Sequence, residues 1–133
     1  MNVGGCACGG VRFEIDGELE AIQLCHCSVC RKSNGSAFAA NIPVRTAAFR
    51  LTSGADLLRE FESSPGKRRT FCGACGSPIH SRTEALPGVV RLRAGTLDGP
   101  VAARPAFHFY VGSKADWWDV TDALPQHQGP RPA

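Results

Sequence analysis

The 133-residue sequence lacks several features that define specialised classes of protein. No apolar run approaches the length of about 18 residues that a membrane-spanning helix needs, so we expect no membrane partner. Residues 1–10 have neither a basic start nor an apolar core, so we expect no secretory signal. Internal repeats and a linker between domains are also missing. These absences predict one domain over residues 1–133 in the cytoplasm, with residues 125–133, rich in Pro, Gly and Gln, as a flexible tail.

The net charge is also small: at pH 7 its formal value is only +3. The one dense basic run is Lys67-Arg68-Arg69. Such a run is more typical of a solvated strand end than of a nucleic-acid-binding surface. We therefore expect no nucleic-acid partner, and the sequence gives no indication of an oligomeric state.

What the chain does contain is a series of short strand patterns. Val11, Phe13 and Ile15 alternate with polar residues, as in a half-buried strand. Further strands are expected near residues 21–24, 38–44, 48–52, 57–62, 79–83, 89–93 and 106–111. Helical turns are expected only after Cys30 and at residues 114–118. The predicted class is mainly β.

Seven cysteines fall into three tight groups. These groups are Cys6-Ala7-Cys8 between paired glycines, Cys25-His26-Cys27-Ser28-Val29-Cys30, and Cys72-Gly73-Ala74-Cys75-Gly76. An odd count, short spacings and a reducing compartment all oppose disulfides. Grouped thiolates are instead metal ligands, and zinc is their usual occupant.

The central group predicts an open metal site. On an extended strand Cys25 and Cys27 would point to the same face, and a turn would bring Cys30 to the same point. Three protein ligands leave the fourth tetrahedral position free, as in catalytic zinc sites. His26 would then point away from the metal and serve as a supporting or packing residue.

The remaining cysteines predict a closed site. The Cys72-x-x-Cys75-Gly pattern is typical of a zinc knuckle on a hairpin turn, in which Gly76 takes a positive φ. A thioredoxin-like redox pair is the alternative, which the missing βαβ pattern disfavours. Cys6 and Cys8 could complete a four-thiolate structural site, and their flanking glycines would let amides reach sulfur. Other partitions of the seven thiols stay open on spacing alone.

A zinc ion with three thiolates carries a net negative charge and activates water poorly. It suits a soft fourth ligand, such as the thiolate of a substrate. Arg31 and Lys32 follow the third ligand directly. They could meet the carboxylates of such a substrate or simply be solvated cations.

These motifs, together with Arg31-Lys32, Ser77-Pro78 and the stretch from His108 to Trp118, resemble the glutathione-dependent formaldehyde-activating enzyme family, which shares its domain with centromere protein V. The resemblance spans residues 3–125. It implies an Mss4-like fold of small coiled antiparallel β-sheets. It also implies two zinc ions per chain: a structural zinc on Cys6, Cys8, Cys72 and Cys75, and a catalytic-type zinc on Cys25, Cys27 and Cys30.

The resemblance favours a zinc-dependent carbon–sulfur lyase that acts on a thiol such as glutathione. The reaction would form S-(hydroxymethyl)glutathione from glutathione and formaldehyde, or cleave it into these two compounds. One alternative is a non-catalytic module that binds zinc and thiols. Another is association with nucleic acid or chromatin, which the name of the relative suggests and the weak charge does not favour.

Overall fold

The structure is a computed structural model that describes residues 1–132. It contains ten β-strands and one α-helix. The strands are β1 (Asn2–Gly5), β2 (Arg12–Ile15), β3 (Ile22–Cys25), β4 (Ala39–Arg45), β5 (Phe49–Ser53), β6 (Leu58–Ser64), β7 (Lys67–Cys72), β8 (Pro78–Thr83), β9 (Val89–Arg93) and β10 (Pro105–Phe109). The helix, α1, spans Ser28–Asn34 and with seven residues is far too short to cross a membrane. The predicted mainly β class is confirmed.

The chain packs as two compact units, each built from two stretches of sequence. The first unit consists of residues 1–20 and 42–102. One antiparallel sheet has the strand order β1-β2-β5. The alternation predicted for β2 is confirmed, because Phe13 and Ile15 are buried and Phe13 stacks on Phe49 with ring centroids 5.1 Å apart.

A second antiparallel set in this unit has the order β9-β8-β7-β6. The side chains of Ile79 on β8 and Leu92 on β9 are fully buried. Strands β7 and β8 form a hairpin whose turn lies between Cys72 and Pro78. The hairpin therefore carries the third cysteine group at its tip.

The second unit consists of residues 21–41 together with the chain from residue 103 onward. Here β3 lies between β10, which runs parallel to it, and the start of β4, which runs antiparallel. The register pairs Cys25 with Phe109 on one side and with Ala39 on the other. The end of β3 is thus held from both sides just before the chain enters α1.

Some elements differ from the sequence prediction. Strands β1 and β7 were not expected, and β7 is formed because both its edges pair, with β6 and β8. The helix predicted at residues 114–118 is wrong: a 3-10 helix at Val111–Ser113 precedes a turn. The parallel β10–β3 pair also departs from a purely antiparallel arrangement.

The C-terminal segment makes backbone hydrogen bonds that its composition does not indicate. Its composition predicts a flexible tail at residues 125–133, yet the described part of it is hydrogen-bonded to β10 and the turn that follows. The His127 N–H donates to the His108 carbonyl, the Val111 N–H donates to the His127 carbonyl, and the Tyr110 N–H donates to the Gly129 carbonyl at 2.7 Å. A composition rich in Pro, Gly and Gln does not reveal such pairing, because the bonds are made by backbone groups. Its mobility and the single-domain assignment stay predictions.

Candidate metal centres

Two groups of cysteines converge in the structure, and they divide as four plus three. In each group the sulfur atoms all lie within 4.8 Å of one another. The four-thiol cluster contains Cys6, Cys8, Cys72 and Cys75, and the three-thiol cluster contains Cys25, Cys27 and Cys30. All seven cysteines are free thiols. Both groups could hold a metal ion.

The geometry of the four-thiol cluster fits a tetrahedral centre. The Sγ atoms of Cys6 and Cys8 are 3.5 Å apart, and those of Cys8 and Cys72 are 3.9 Å apart. A tetrahedron with metal–sulfur bonds of about 2.3 Å has edges of about 3.8 Å. The observed spacings are close to that edge and far too long for disulfide bonds.

Local backbone features orient these sulfurs as the sequence predicts. The Val11 N–H donates to Cys6 Sγ at 3.2 Å. In the knuckle, Gly76 has a φ of +79° and its N–H donates to the Cys72 carbonyl at 2.7 Å. The positive φ predicted at Gly76 is therefore confirmed, since a residue with a Cβ would be strained there.

The thiols of this cluster differ in pKa. The Ser77 hydroxyl lies 3.3 Å from Cys75 Sγ, and hydrogen bonds from Ser77 lower the pKa of Cys75 to about 5. The Gly10 amide lowers the pKa of Cys8, but the neighbouring sulfurs of Cys6 and Cys75 raise it, and the net result is a pKa of about 11. Sulfurs this close cannot all ionise without a compensating cation. The donor set therefore fits a metal ion.

The three-thiol cluster forms where β3 passes into α1. Cys25 ends β3, Cys27 is the N-cap of α1, and Cys30 lies in its first turn. The Cys30 N–H donates to Cys27 Sγ at 3.3 Å, so the sulfur takes the capping role that Ser or Asp usually fills. The convergence of the three sulfurs is as predicted, but Cys27 lies outside the strand.

Electrostatics again favour a cation among these sulfurs. Cys25 and Cys30 are buried, whereas Cys27 is half-buried. The thiols of Cys27 and Cys30, together with burial, raise the pKa of Cys25 far above its ordinary value. Within residues 1–132 no fourth His, Cys, Asp or Glu joins this group. The described residues could thus supply three ligands to a metal ion, one fewer than a closed tetrahedral site needs.

His26, between two of these cysteines, is fully buried and begins a hydrogen-bonded chain. Its Nε2 lies 2.8 Å from His108 Nδ1, and His108 Nε2 lies 3.0 Å from an Asp122 carboxylate oxygen. Because a carboxylate only accepts, His108 donates to Asp122 through Nε2 and accepts from the His26 Nε2–H. Burial, with His108 and Lys114, lowers the pKa of His26 to about 4, so it is uncharged at neutral pH.

The hydrogen bonds from His26 to His108 and Asp122 support the segment that carries the cysteines. A supporting or packing role is what the sequence predicts for His26. The sequence did not indicate Asp122 as its distant partner. The Nδ1 atom of His26 is buried and has no hydrogen-bond partner among the described residues. No sequence signal joins His26 to residues more than 80 positions away.

Aromatic residues cover the three-thiol cluster. Phe109 is buried with Cys25, Cys30 and Ala39, and Phe107 and Tyr110 pack against the group. Tyr110 has a φ of +54°, the one positive φ at a non-glycine residue in the described part of the chain. Such strained backbone tends to occur at functional sites. The apolar cover limits the access of water to the sulfurs.

The structure also places the predicted cationic residues. Arg31 and Lys32 lie in the last turn of α1, where they complement the helix dipole, and the Arg31 Nε–H donates to the Ser113 carbonyl at 3.2 Å. Lys32 is exposed. The basic run Lys67-Arg68-Arg69 begins strand β7. Arg69 is buried there, and Arg68 lies within 4 Å of three glutamates.

A cavity of about 580 Å³ lies in the first unit, and none of the seven cysteines lines it. Phe49, His80, Arg68 and Glu84 are among its lining residues. The carboxylates around Arg68 oppose an anionic ligand there. The cavity therefore offers no thiol chemistry.

The structure defines a mainly β, cysteine-rich protein whose four-thiol and three-thiol clusters could each hold a metal ion. The sequence model of the family described as glutathione-dependent formaldehyde-activating enzyme matches residues 1–113. The chain belongs to this family.

Two individual proteins are similar to the chain. A curated protein of Halomonas elongata, provisionally named as a glutathione-dependent formaldehyde-activating enzyme, is 29% identical over 126 residues, which cover 88% of this chain and 79% of the relative. The crystal structure of a Rhodobacter sphaeroides protein superposes with a TM-score of 0.64 at 22% identity, covering 78% of this chain and 99% of that one. The second likeness concerns the fold alone.

Proposed function

We propose that the protein is a zinc-dependent carbon–sulfur lyase that adds glutathione, or a similar thiol, to formaldehyde and also cleaves the adduct. The observation that carries this proposal is the three-thiol cluster, whose sulfurs lie within 4.8 Å of one another and provide three ligands. Family membership supports glutathione and formaldehyde as the substrates.

The residues of the two clusters would hold one zinc ion each. Cys6, Cys8, Cys72 and Cys75 would fill all four positions of a structural zinc, and Cys25, Cys27 and Cys30 would fill three of a second. When bound there, the second zinc would hold a substrate sulfur as thiolate in its open position.

The chemistry is a simple addition. The thiol sulfur attacks the carbonyl carbon of formaldehyde, a carbon–sulfur bond forms, and the π electrons of the carbonyl move to oxygen. The thiol gives up one proton and the oxygen gains one, so the step is balanced without an oxidant or a reductant. Phe109 and Tyr110 would shield the reacting atoms from water, and Arg31 and Lys32 stay predicted contacts for the substrate carboxylates.

Calorimetric titration of the zinc-loaded protein with glutathione and S-methylglutathione tests the sulfur contact. We expect glutathione to bind more tightly as the pH rises towards about 8.5, where a cysteine-like thiol ionises. S-methylglutathione keeps the carboxylates but cannot become a thiolate, so it should bind much more weakly. Equal affinities for the two compounds would mean that the sulfur is not held at the metal.

Turnover separates the enzyme from a non-catalytic thiol-binding module. Exchange between formaldehyde, glutathione and S-(hydroxymethyl)glutathione can be followed by NMR with and without the protein. An enzyme accelerates the exchange, and Cys27→Ser abolishes that acceleration. Tight binding of glutathione without acceleration would support the module instead. The cytoplasmic location stays a prediction.

A further inference from the structure

Arg131, near the end of the described chain, lies beside the three-thiol cluster. The centre of its guanidinium group is 5.9 Å from the centroid of the Phe109 ring. Phe109 is paired in register with Cys25 and belongs to the same buried group as Cys25 and Cys30. The side chain of Arg131 is half-buried. The contact places a permanent positive charge on the ring that packs with Cys25 and Cys30.

Backbone hydrogen bonds carry Arg131 to this position. The His108 N–H donates to the Pro125 carbonyl, the Tyr110 N–H to the Gly129 carbonyl, and the Gly112 N–H to the Gln128 carbonyl. Tyr110 makes its bond in the left-handed conformation, which is costly for a residue with a side chain. The fold therefore accepts local strain where the C-terminal segment is attached to β10.

The guanidinium group has donors to spare. No side-chain or backbone acceptor among residues 1–132 takes a hydrogen bond from Arg131, and no carboxylate of that range lies within 4 Å of it. A guanidinium has five N–H donors in a fork that matches a carboxylate. Burial lowers the pKa of Arg131, and its interaction with Cys25 opposes that shift.

We propose that Arg131 binds a carboxylate of the thiol substrate and thereby selects thiols that carry a carboxylate over those that do not. This inference rests on the proposed function, because it concerns the same three-thiol site. Arg131 lies beyond residues 1–113, which the family model matches. Arg31 is the competing candidate, but its Nε–H already donates to Ser113.

A second role for Arg131 is conceivable on the same geometry, namely to offset the negative charge of the three sulfurs. The two roles predict different responses to the substrate. Carboxylate binding affects only thiols with a carboxylate, whereas charge compensation affects every thiol that binds as thiolate. Comparing glutathione with 2-mercaptoethanol, which has no carboxylate, therefore separates them.

The experiment is a calorimetric titration of the zinc-loaded wild type, Arg131→Gln, Arg131→Lys and Arg45→Gln with both thiols. Arg45 is an exposed residue at the end of β4, so Arg45→Gln removes the same charge elsewhere. For Arg131→Gln we expect glutathione affinity to fall by roughly 10- to 100-fold, with little change for 2-mercaptoethanol. Arg131→Lys should keep part of the affinity, since it keeps the charge but loses the fork.

Each other outcome overturns the inference in a recognisable way. If Arg131→Gln weakens both thiols equally, the residue compensates charge and does not bind the carboxylate. If both variants bind glutathione like the wild type while thiols still bind, Arg131 plays no part and the proposed function stands. If the wild type binds neither thiol, the proposed function itself fails. Melting temperatures check the fold, and Arg131→Lys keeps the test usable should Arg131→Gln be unstable.

Discussion

The two thiol clusters differ in how they are assembled from the chain. The four-thiol cluster joins segments that are far apart, since Cys8 and Cys72 are separated by 64 positions. The three-thiol cluster comes from six consecutive residues at the junction of β3 and α1. Ligands that are distant in sequence close a long loop, so a metal ion there stabilises the fold, whereas a local set leaves the fold less dependent on its metal.

A structural metal site is usually expected to be the more buried of two, but here the three-thiol cluster is the more buried one. Cys8 and Cys75 of the four-thiol cluster are exposed, while Cys25 and Cys30 of the three-thiol cluster are buried. The number of ligands, four against three, is therefore the feature that separates a structural from a reactive site. Apolar side chains pack around the smaller cluster.

The largest expected effect is the loss of the four-thiol cluster. Replacing Cys72 by Ser removes one ligand from a centre where a bound zinc ion would contribute on the order of 10 kcal/mol to folding. That amount is comparable with the whole stability of a typical domain, about 5–15 kcal/mol, so Cys72→Ser should not unfold cooperatively. Circular dichroism during heating measures this. A cooperative transition close to that of the wild type would contradict the structural role.

The matched change in the other cluster, Cys27→Ser, should leave the fold nearly intact. Serine is a good N-cap and can accept the hydrogen bond that Cys27 now takes from the Cys30 N–H. We expect a melting temperature within a few degrees of the wild type, since the change should cost less than about 1 kcal/mol, with glutathione binding lost. If Cys27→Ser unfolds as readily as Cys72→Ser, the two clusters do not divide the roles in this way.

A smaller effect concerns acid sensitivity of the first unit. Burial, with Arg93 and Arg82, lowers the pKa of His80 to about 4. The unfolded chain takes up a proton near pH 6.5 that the folded protein refuses, so stability falls as the pH drops from about 6.5 towards 4. At pH 5.5 the loss should be about 1 kcal/mol.

Urea denaturation of the wild type and His80→Gln at pH 7.5 and 5.5 measures this contribution. Acid also protonates metal-binding thiolates, but that loss is common to both proteins and cancels in the difference. The stability gap between the two should shift by about 1 kcal/mol in favour of His80→Gln at the lower pH. An unchanged gap would show that His80 accepts its proton in the folded state.

Spacing in the sequence predicted the local groups of thiols, because short C-x-C and C-x-x-C patterns bring their sulfurs together within a few residues. Spacing favoured the four-plus-three partition that the structure has, but left other partitions open. Alternation likewise predicted β2. Strand β7 was not predicted, because the basic run Lys67-Arg68-Arg69 at its start is typical of a solvated segment. In the structure Arg69 is buried and donates to the Ser63 hydroxyl.

Residues brought together by distant parts of the chain could not be predicted. The pairing of His26 with His108 depends on the parallel alignment of β10 with β3, for which no local pattern exists. The same holds for Arg131, whose place follows from backbone hydrogen bonds of a segment that looks like a frayed tail. Local patterns specify ligands, and tertiary pairing specifies their surroundings.

The most direct test of the difference between the clusters is the zinc content of the purified protein before and after mild chelation. Our account predicts about two zinc ions per chain before chelation and one after it, with the melting temperature retained and glutathione binding abolished. Loss of both ions together, or freshly purified protein without zinc, would contradict the assignment of one closed and one open site.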